Sequence, residues 1–327
     1  MSLHWPPVQP ELASRFRRKV LQWFDHNKRD LPWRQDRDPY RVWVSEIMLQ
    51  QTRVAAVIEH YKNFIGRFPS IEKLAYARQS SVLAAWSGLG YYRRARMLHA
   101  AAKEIVYKRA GKFPKTAPEL RRLPGIGTYS SAAIASIAFD EPIAAVDGNV
   151  ERVLQRVSGK PLRSRELFEM AGHLLSGDRP GDFNQAMMEL GAIICAPRQP
   201  RCLLCPISEL CATRGELAYV QKTRPQRKRQ VRYIVDCRDG SVFLVQREKS
   251  ASLMPGMWEL PEIPLSLGST GISFTLKHSI TITNYAVNVV LGSVPKHAHG
   301  KWVPKSRVVA LPLTGLARKI LRKAQVI

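Results

Sequence analysis

The chain has 327 residues, 45% of them hydrophobic, with 51 Lys and Arg against 26 Asp and Glu, a formal net charge of +25. That length suits about two domains with real cores, and the composition excludes a disordered or collagen-like chain. So large an excess of positive charge points to a polyanionic partner, nucleic acid ahead of an anionic membrane surface, because neutralising phosphates releases counterions.

The first residues lack an apolar stretch of signal-peptide length, and no run of about 18 apolar residues follows, so a soluble cytoplasmic protein is expected. Residues 1–219 carry +12 and read as helical, with Trp43, Ile47, Val54, Ile58, Tyr61 and Ile65 recurring at steps of three, four or seven. His4, Trp5, Trp23 and Trp33 read as helix packing. In the helical segment VWVSEIMLQQT, Glu46 stands three residues from Trp43 and four from Gln50, which places it at the border of the apolar stripe. Partial desolvation there raises a carboxyl's pKa and keeps it protonated; the other reading is a surface glutamate. Gly88-Leu89-Gly90-Tyr91-Tyr92-Arg93-Arg94 offers an apolar and aromatic tip on a glycine-flexible turn, or else a buried tyrosine pair.

Leu120 to Leu123 ends a helical segment, Pro124-Gly125-Ile126-Gly127 turns, and Thr128 is expected to cap a helix to about Phe139. Bare amides at Gly125 and Gly127, backed by a positive helix end, fit one phosphate; an ordinary helix-turn-helix connection is the other reading. Asp147 closes the run Pro142 to Val146 and precedes Gly148-Asn149-Val150-Glu151-Arg152, so it is expected to cap the next helix.

Cys195, Cys202, Cys205 and Cys211 form C-x6-C-x2-C-x5-C, a ligand spacing and not a disulfide framework. One C-x2-C with unequal arms suits the corners of a [4Fe-4S] cubane, zinc being the alternative. Arg198, Arg201 and Arg214 would then ride on a loop ordered by the metal. The stretch Val220 to Gln230, VQKTRPQRKRQ, carries +5 with no acid and reads as a linker, a solvated or import-type patch being the alternative. Residues 231–327 carry +8 and change pattern. Val231 to Cys237 and Ser241 to Arg247 flank Asp239-Gly240 as a hairpin, with Cys237 a small core residue, and Ser279 to Leu291 alternates again. The expected fold class is multidomain, an all-α region followed by a smaller mixed α/β domain.

The cysteine spacing, with Leu123 to Gly127 and Val146 to Arg152, resembles the helix-hairpin-helix DNA glycosylases that carry an iron–sulfur cluster, and among them the adenine DNA glycosylases of the MutY type. The resemblance implies two helical lobes about a DNA cleft, residues about 30–138 and residues 1–29 plus 139–219, then a Nudix-like domain over 231–327. It implies a monomeric enzyme that excises adenine opposite 8-oxoguanine or guanine in duplex DNA, with a [4Fe-4S] cofactor on the four cysteines. Glycosidic cleavage needs a proton for the leaving base and negative charge near the developing sugar cation. Glu46 takes the first role and Asp147 the second. Tyr129 stands where related endonuclease III enzymes have a Schiff-base lysine, so the enzyme is expected to be monofunctional, with Tyr129 hydrogen-bonded to the carboxylates.

By the same resemblance Gln51, Thr52, Leu89 and Tyr91 intercalate and contact 8-oxoguanine, Asn149 joins the substrate-binding residues, and Arg34 and Glu189 contact the flipped adenine or pair in a salt bridge. Trp258, within Leu253 to Pro261, matches a Nudix-like segment, but no REx2EExG helix occurs, so pyrophosphate chemistry is excluded. Phe274-Thr275-Leu276-Lys277-His278-Ser279 stands where the family often has Phe-Ser-His: only His278 matches, and Lys277 becomes a further candidate contact. Two alternatives stay open: a relative excising thymine or uracil opposite guanine, and a DNA-binding iron–sulfur protein without hydrolytic activity.

Overall fold

The computed structural model describes residues 10–217, 226–265, 272–280, 282–295 and 298–327. His4, Trp5 and residues 220–225 of the expected linker lie outside them. The helices run α1 Pro10–Asn27, α2 Pro39–Leu49, α3 Val54–Arg67, α4 Ile71–Tyr76, α5 Gln79–Ala85, α6 Tyr92–Arg109, α7 Ala117–Leu120, α8 Thr128–Phe139, α9 Gly148–Ser158, α10 Ser164–Leu174 and α11 Pro180–Ile193. The strands are β1 Arg227–Val235, β2 Cys237–Arg238, β3 Ser241–Gln246, β4 Trp258–Glu259, β5 Glu262–Ile263, β6 Ile272–Ile280, β7 Thr283–Leu291 and β8 Lys301–Pro304, followed by α12 Lys305–Val308 and α13 Gly315–Lys323.

Two compact units emerge: Met1–Ile65, Ser70–Glu72 and Ala100–Val220 in one, Gly66–Pro69, Lys73–His99 and Gln221–Ile327 in the other. Lys73–His99 therefore groups with the strands and not with the helical lobe expected from sequence, because Ser87, Tyr92 and Arg96 all bond to residues beyond 250.

In the first unit α1 buries Ala13, Phe16, Val20 and Phe24, the three- and four-residue spacing of an amphipathic helix. They join residues of α9, α10 and α11 in one core. Asp38 caps α2 by accepting from the Arg41 amide at 2.8 Å, with Pro39 in the first turn. Tyr40 and every residue from Val42 to Met48 are buried, so α2 is an interior helix, packed on the small residues of α8. The apolar periodicity across residues 43–65 is not one helix: α2 stops at Leu49, Gln51 takes φ 56°, and α3 buries Val57, Tyr61 and Phe64. The cap of α8 is Gly127, with no side-chain bond, and not Thr128, which is the first helical residue. Asp147 caps α9 as expected, and Gly159, at φ 74°, ends it.

In the second unit β5, β1, β7 and β6 make one sheet in that order, β1 and β7 parallel with Val231 opposite Val287, β7 and β6 antiparallel. A second sheet runs β2, β3, β4, with β8 also on β3. Asp239 and Gly240, at φ 47° and 72°, make the β2–β3 turn with the paired positive φ of a tight hairpin. Three sequence expectations are corrected. Arg227 to Gln230, expected in the linker, begin β1; their side chains are exposed, and backbone pairing to residues 283–286 of β7 orders them. Cys237 is exposed on its two-residue strand, not in the core. The alternation over 279–291 covers two strands, β6 and β7, with residues 280 and 283 paired across their turn.

Candidate active site

A cavity in the first unit, partly open to solvent, is lined by Glu46, Tyr129, Asp147, Asn149, Arg34 and Glu189 among others. Glu46 reaches it from the interior helix α2 and is 6% exposed. Burial pushes its carboxyl up to about 7, the charge of Asp147 adds to that, and a hydrogen bond from Tyr129 and the charge of Arg34 oppose it. The Tyr129 hydroxyl, from the first turn of α8, donates to Glu46 Oε2 at 2.8 Å. Burial, then the nearby Glu46 carboxylate, holds that hydroxyl well above its ordinary pKa, so it stays a donor.

Asp147 both caps α9 and faces the cavity. Its Oδ1 accepts from the Asn149 and Val150 amides at 2.9 and 2.8 Å, and its Oδ2 from Asn149 Nδ2 at 2.8 Å. Asn149 is held in turn: its Oδ1 accepts from Arg152, whose guanidinium also donates to the Gly191 and Cys195 carbonyls. A chain of hydrogen bonds thus runs from the aspartate to the first cysteine of the C-x6-C-x2-C-x5-C loop.

Arg34 and Glu189 do pair, at 3.0 Å, and both still line the cavity. Burial raises the Glu189 carboxyl, but the guanidiniums of Arg29 and Arg34 overcome it and hold it at about 2, so Glu189 stays ionised. Arg29, Gln185 and Met188 were missed by sequence reasoning. A signal existed for two of them: Gln185, Met188 and Glu189 share one face of α11 at three- and four-residue spacing. Thr52 lines the cavity, whereas Gln51 is exposed just past the end of α2. Gly125, at φ 78°, and Gly127 are exposed at the start of α8.

The remaining expected contacts belong to the second unit. Leu89, expected at an exposed tip, is 7% exposed: Gly88, Gly90 and Tyr91 take φ values of 111°, 70° and 46°, which turn Leu89 inward and leave Tyr91 at 45%. The supposed tyrosine pair divides, Tyr92 being buried. His278 is half-buried on β6 with Cε1 4.0 Å from where a Gly315 Cβ would sit, so it faces α13; burial and then Lys319 lower its pKa. Its neighbour Lys277 takes the exposed face.

Cys195, Cys202, Cys205 and Cys211 line a single small pocket with Val153, Arg156, Leu190 and Ile207. Arg156, 5% exposed, donates to Cys195 Sγ at 3.3 Å and to the carbonyls of Ala196 and Pro197. Burial, with the other three sulfurs, pushes the Cys205 thiol up to about 11. Among the described residues no group of three or more His, Cys, Asp or Glu is set to hold a single metal ion.

Residues 44–172 match the HhH-GPD superfamily of base excision DNA repair proteins. The adenine DNA glycosylase of Schizosaccharomyces pombe is 33% identical over 321 residues, covering 77% of this chain and 70% of that protein. The chain belongs to the adenine DNA glycosylase family. The rat adenine DNA glycosylase is 48% identical over 211 residues, 60% of this chain and 41% of the rat protein, so the chain spans about two fifths of the length of that relative. Among solved structures, a thermostable thymine-DNA glycosylase superposes with a TM-score of 0.58 at 32% identity, covering 62% of this chain and 96% of that one. Among the described residues no helix is long and apolar enough to cross a membrane.

Proposed function

We propose that this chain is a monofunctional DNA glycosylase that hydrolyses the N-glycosidic bond of adenine opposite 8-oxoguanine or guanine in duplex DNA. One observation carries the reading: a buried carboxyl raised to about 7 shares a cavity with a second carboxyl that caps a helix N-terminus. Two carboxyls in different environments divide the work of acid and charge stabiliser. Glu46, protonated near neutral pH, gives its proton to the leaving adenine. The glycosidic bonding pair departs with the base, and the sugar becomes an oxocarbenium ion stabilised by Asp147 until water adds and its released proton restores the Glu46 acid. Tyr129 orients Glu46 and supplies no amine, so no Schiff base forms and the strand is left uncut. Arg34 and Glu189 meet the flipped base, and the amides at Gly125 and Gly127 take a backbone phosphate.

Support for a [4Fe-4S] cluster on Cys195, Cys202, Cys205 and Cys211 comes from four sulfurs sharing one cavity, and its contribution there is structural, ordering the loop of Arg198, Arg201 and Arg214. We assign the first unit to catalysis and the strand-rich part of the second, from Arg227 onward, to a Nudix-like domain that helps read the opposite base. Excision of thymine opposite guanine is the second reading, favoured by the thymine-DNA glycosylase likeness at 32% identity; the 48% identity to an adenine enzyme weighs against it. Single-turnover incubation with duplexes carrying adenine opposite 8-oxoguanine, guanine or thymine, and thymine opposite guanine, separates them. Alkali-dependent breaks at adenine support the proposal; breaks only at thymine favour the second reading, and breaks without alkali refute the assignment of Tyr129.

A further inference from the structure

Tyr129 stands between two acceptors. Its hydroxyl lies 2.8 Å from Glu46 Oε2 and 3.4 Å from Met188 Sδ, so an oxygen and a sulfur share one donor. A hydroxyl carries a single proton, and a thioether is the weaker acceptor, so the carboxyl takes it. The three side chains come from α2, α8 and α11, and α8 packs against both of the others. Met188 is half-buried and lines the cavity, which is partly open to solvent. Its neighbour Met187 is 2% exposed and lies in the core shared by α1, α9 and α10. Adjacent methionines of one helix thus differ, one sulfur reachable from the cavity and the other sealed away from it.

Oxidation of the thioether reverses the competition for the Tyr129 proton. Hydrogen peroxide transfers one oxygen: a sulfur lone pair forms the new S–O bond, the O–O bond breaks, and the departing hydroxide takes the proton left on the transferred oxygen and leaves as water. Sulfur loses two electrons and peroxide gains them. The sulfoxide is polar and offers a strong oxygen acceptor where a weak sulfur one stood. That oxygen extends from a sulfur already 3.4 Å from the hydroxyl, within reach of its proton. Asp147 and Arg34, the other charged groups that act on Glu46, bear on it before and after, so the change falls on Tyr129.

We propose that Met188 is an oxidation site that governs the acid: its sulfoxide draws the Tyr129 hydroxyl away from Glu46, and reduction of the sulfoxide returns it. Met188 is a positioning residue in this role, acting through Tyr129. The inference rests on the proposed glycosylase activity. It goes beyond it by making the cavity responsive to peroxide.

The test treats the full chain and its Met188→Leu variant with hydrogen peroxide and then with methionine sulfoxide reductase. The variant keeps the four cysteines and the remaining methionines, so damage to them appears in both proteins. Peptide mass spectrometry is expected to find oxygen added at Met188 and not at Met187. Single-turnover release of adenine at about pH 6 is expected to fall roughly tenfold in the oxidised wild type and to recover with the reductase, while Met188→Leu stays within about twofold of its own untreated rate. The loss of rate with rising pH moves to higher pH in the oxidised wild type, because Glu46 has lost a hydrogen bond that favours its charged form. Infrared titration of the Glu46 carboxyl, taken as the difference from Glu46→Gln, needs no substrate and is expected to show the same upward move. Met188 left reduced, equal losses in both proteins, or a Glu46 titration that oxidation leaves in place each overturns the proposal. If the untreated wild type releases no adenine, the glycosylase reading fails instead, and the mass-spectrometric and infrared results still decide the role of Met188.

Discussion

Replacing Tyr129 with Phe removes one hydroxyl from the Glu46 carboxyl and leaves the helix packing around it intact. The raised pKa of Glu46, about 7, is a balance: burial and Asp147 push it up, the Tyr129 hydrogen bond and Arg34 hold it down. A hydrogen bond to a charged acceptor is worth about 1.5–3 kcal/mol, part of which the neutral acid also enjoys, so its loss is expected to raise the pKa by about one unit. Because the protonated form does the work, excision by the wild-type chain is expected to fall as pH rises through about 7. In Tyr129→Phe that fall moves to higher pH, and at alkaline pH the variant keeps more of its own maximal rate than the wild type does. Single-turnover rates across roughly pH 5.5 to 9.5 measure both limbs. A limb that stays in place, or moves to lower pH, refutes the account of what tunes Glu46.

The same raised pKa has a consequence for stability. Glu46 prefers its protonated form when folded, so the wild-type chain loses stability as pH rises from the unfolded value near 4.5 through about 7, and the loss is complete above that. Glu46→Gln is expected to be more stable than wild type by about 3 kcal/mol at pH 8 and nearly equal at pH 4.5, and denaturant unfolding at the two pH values checks it. Gly191→Ala places a Cβ 2.6 Å from Asn149 Cβ and 2.9 Å from its carbonyl oxygen. Overpacking of this kind costs about 1–3 kcal/mol, and by displacing the Asn149 that holds Asp147 it is expected to reduce excision more than melting temperature; a fully active variant contradicts the chain of bonds from α11 to Asp147. Binding to undamaged duplex is expected to weaken linearly in log[salt], with a slope of about −0.9 per phosphate contacted, and a flat titration contradicts a phosphate-dominated interface.

The helical region was legible because its signals are local. Asp147 and Asp38 sit where caps belong, and the buried faces of α1 and α9 follow their apolar spacing. Glu46 was legible as a residue beside an apolar stripe, but its burial depends on α8 packing against α2, which no local pattern shows. Leu89 was misplaced for a related reason. An apolar residue between two glycines reads as a tip, yet the positive φ of its neighbours and the indole of Trp86 turn it inward. Arg227 to Gln230 carried no hydrophobic signal because the ladder to β7 holds them by backbone, and ladder bonds leave no mark in composition. Cys237 looked like a core residue by type alone, on a strand too short to bury it. His278 and Lys277 divide between the two faces of β6, and which face meets α13 is settled only by the tertiary fold.

The central claim is that Glu46 and Asp147, in one cavity, cleave adenine from duplex DNA by acid-assisted hydrolysis. The most direct measurement is the release of free adenine, quantified by mass spectrometry, from an adenine:8-oxoguanine duplex by wild type, Glu46→Gln and Asp147→Asn under single-turnover conditions. The account predicts stoichiometric adenine from the wild type and none from either variant, with duplex binding preserved in both. Substantial release by either variant, or no release by a wild-type chain that binds the duplex, contradicts it.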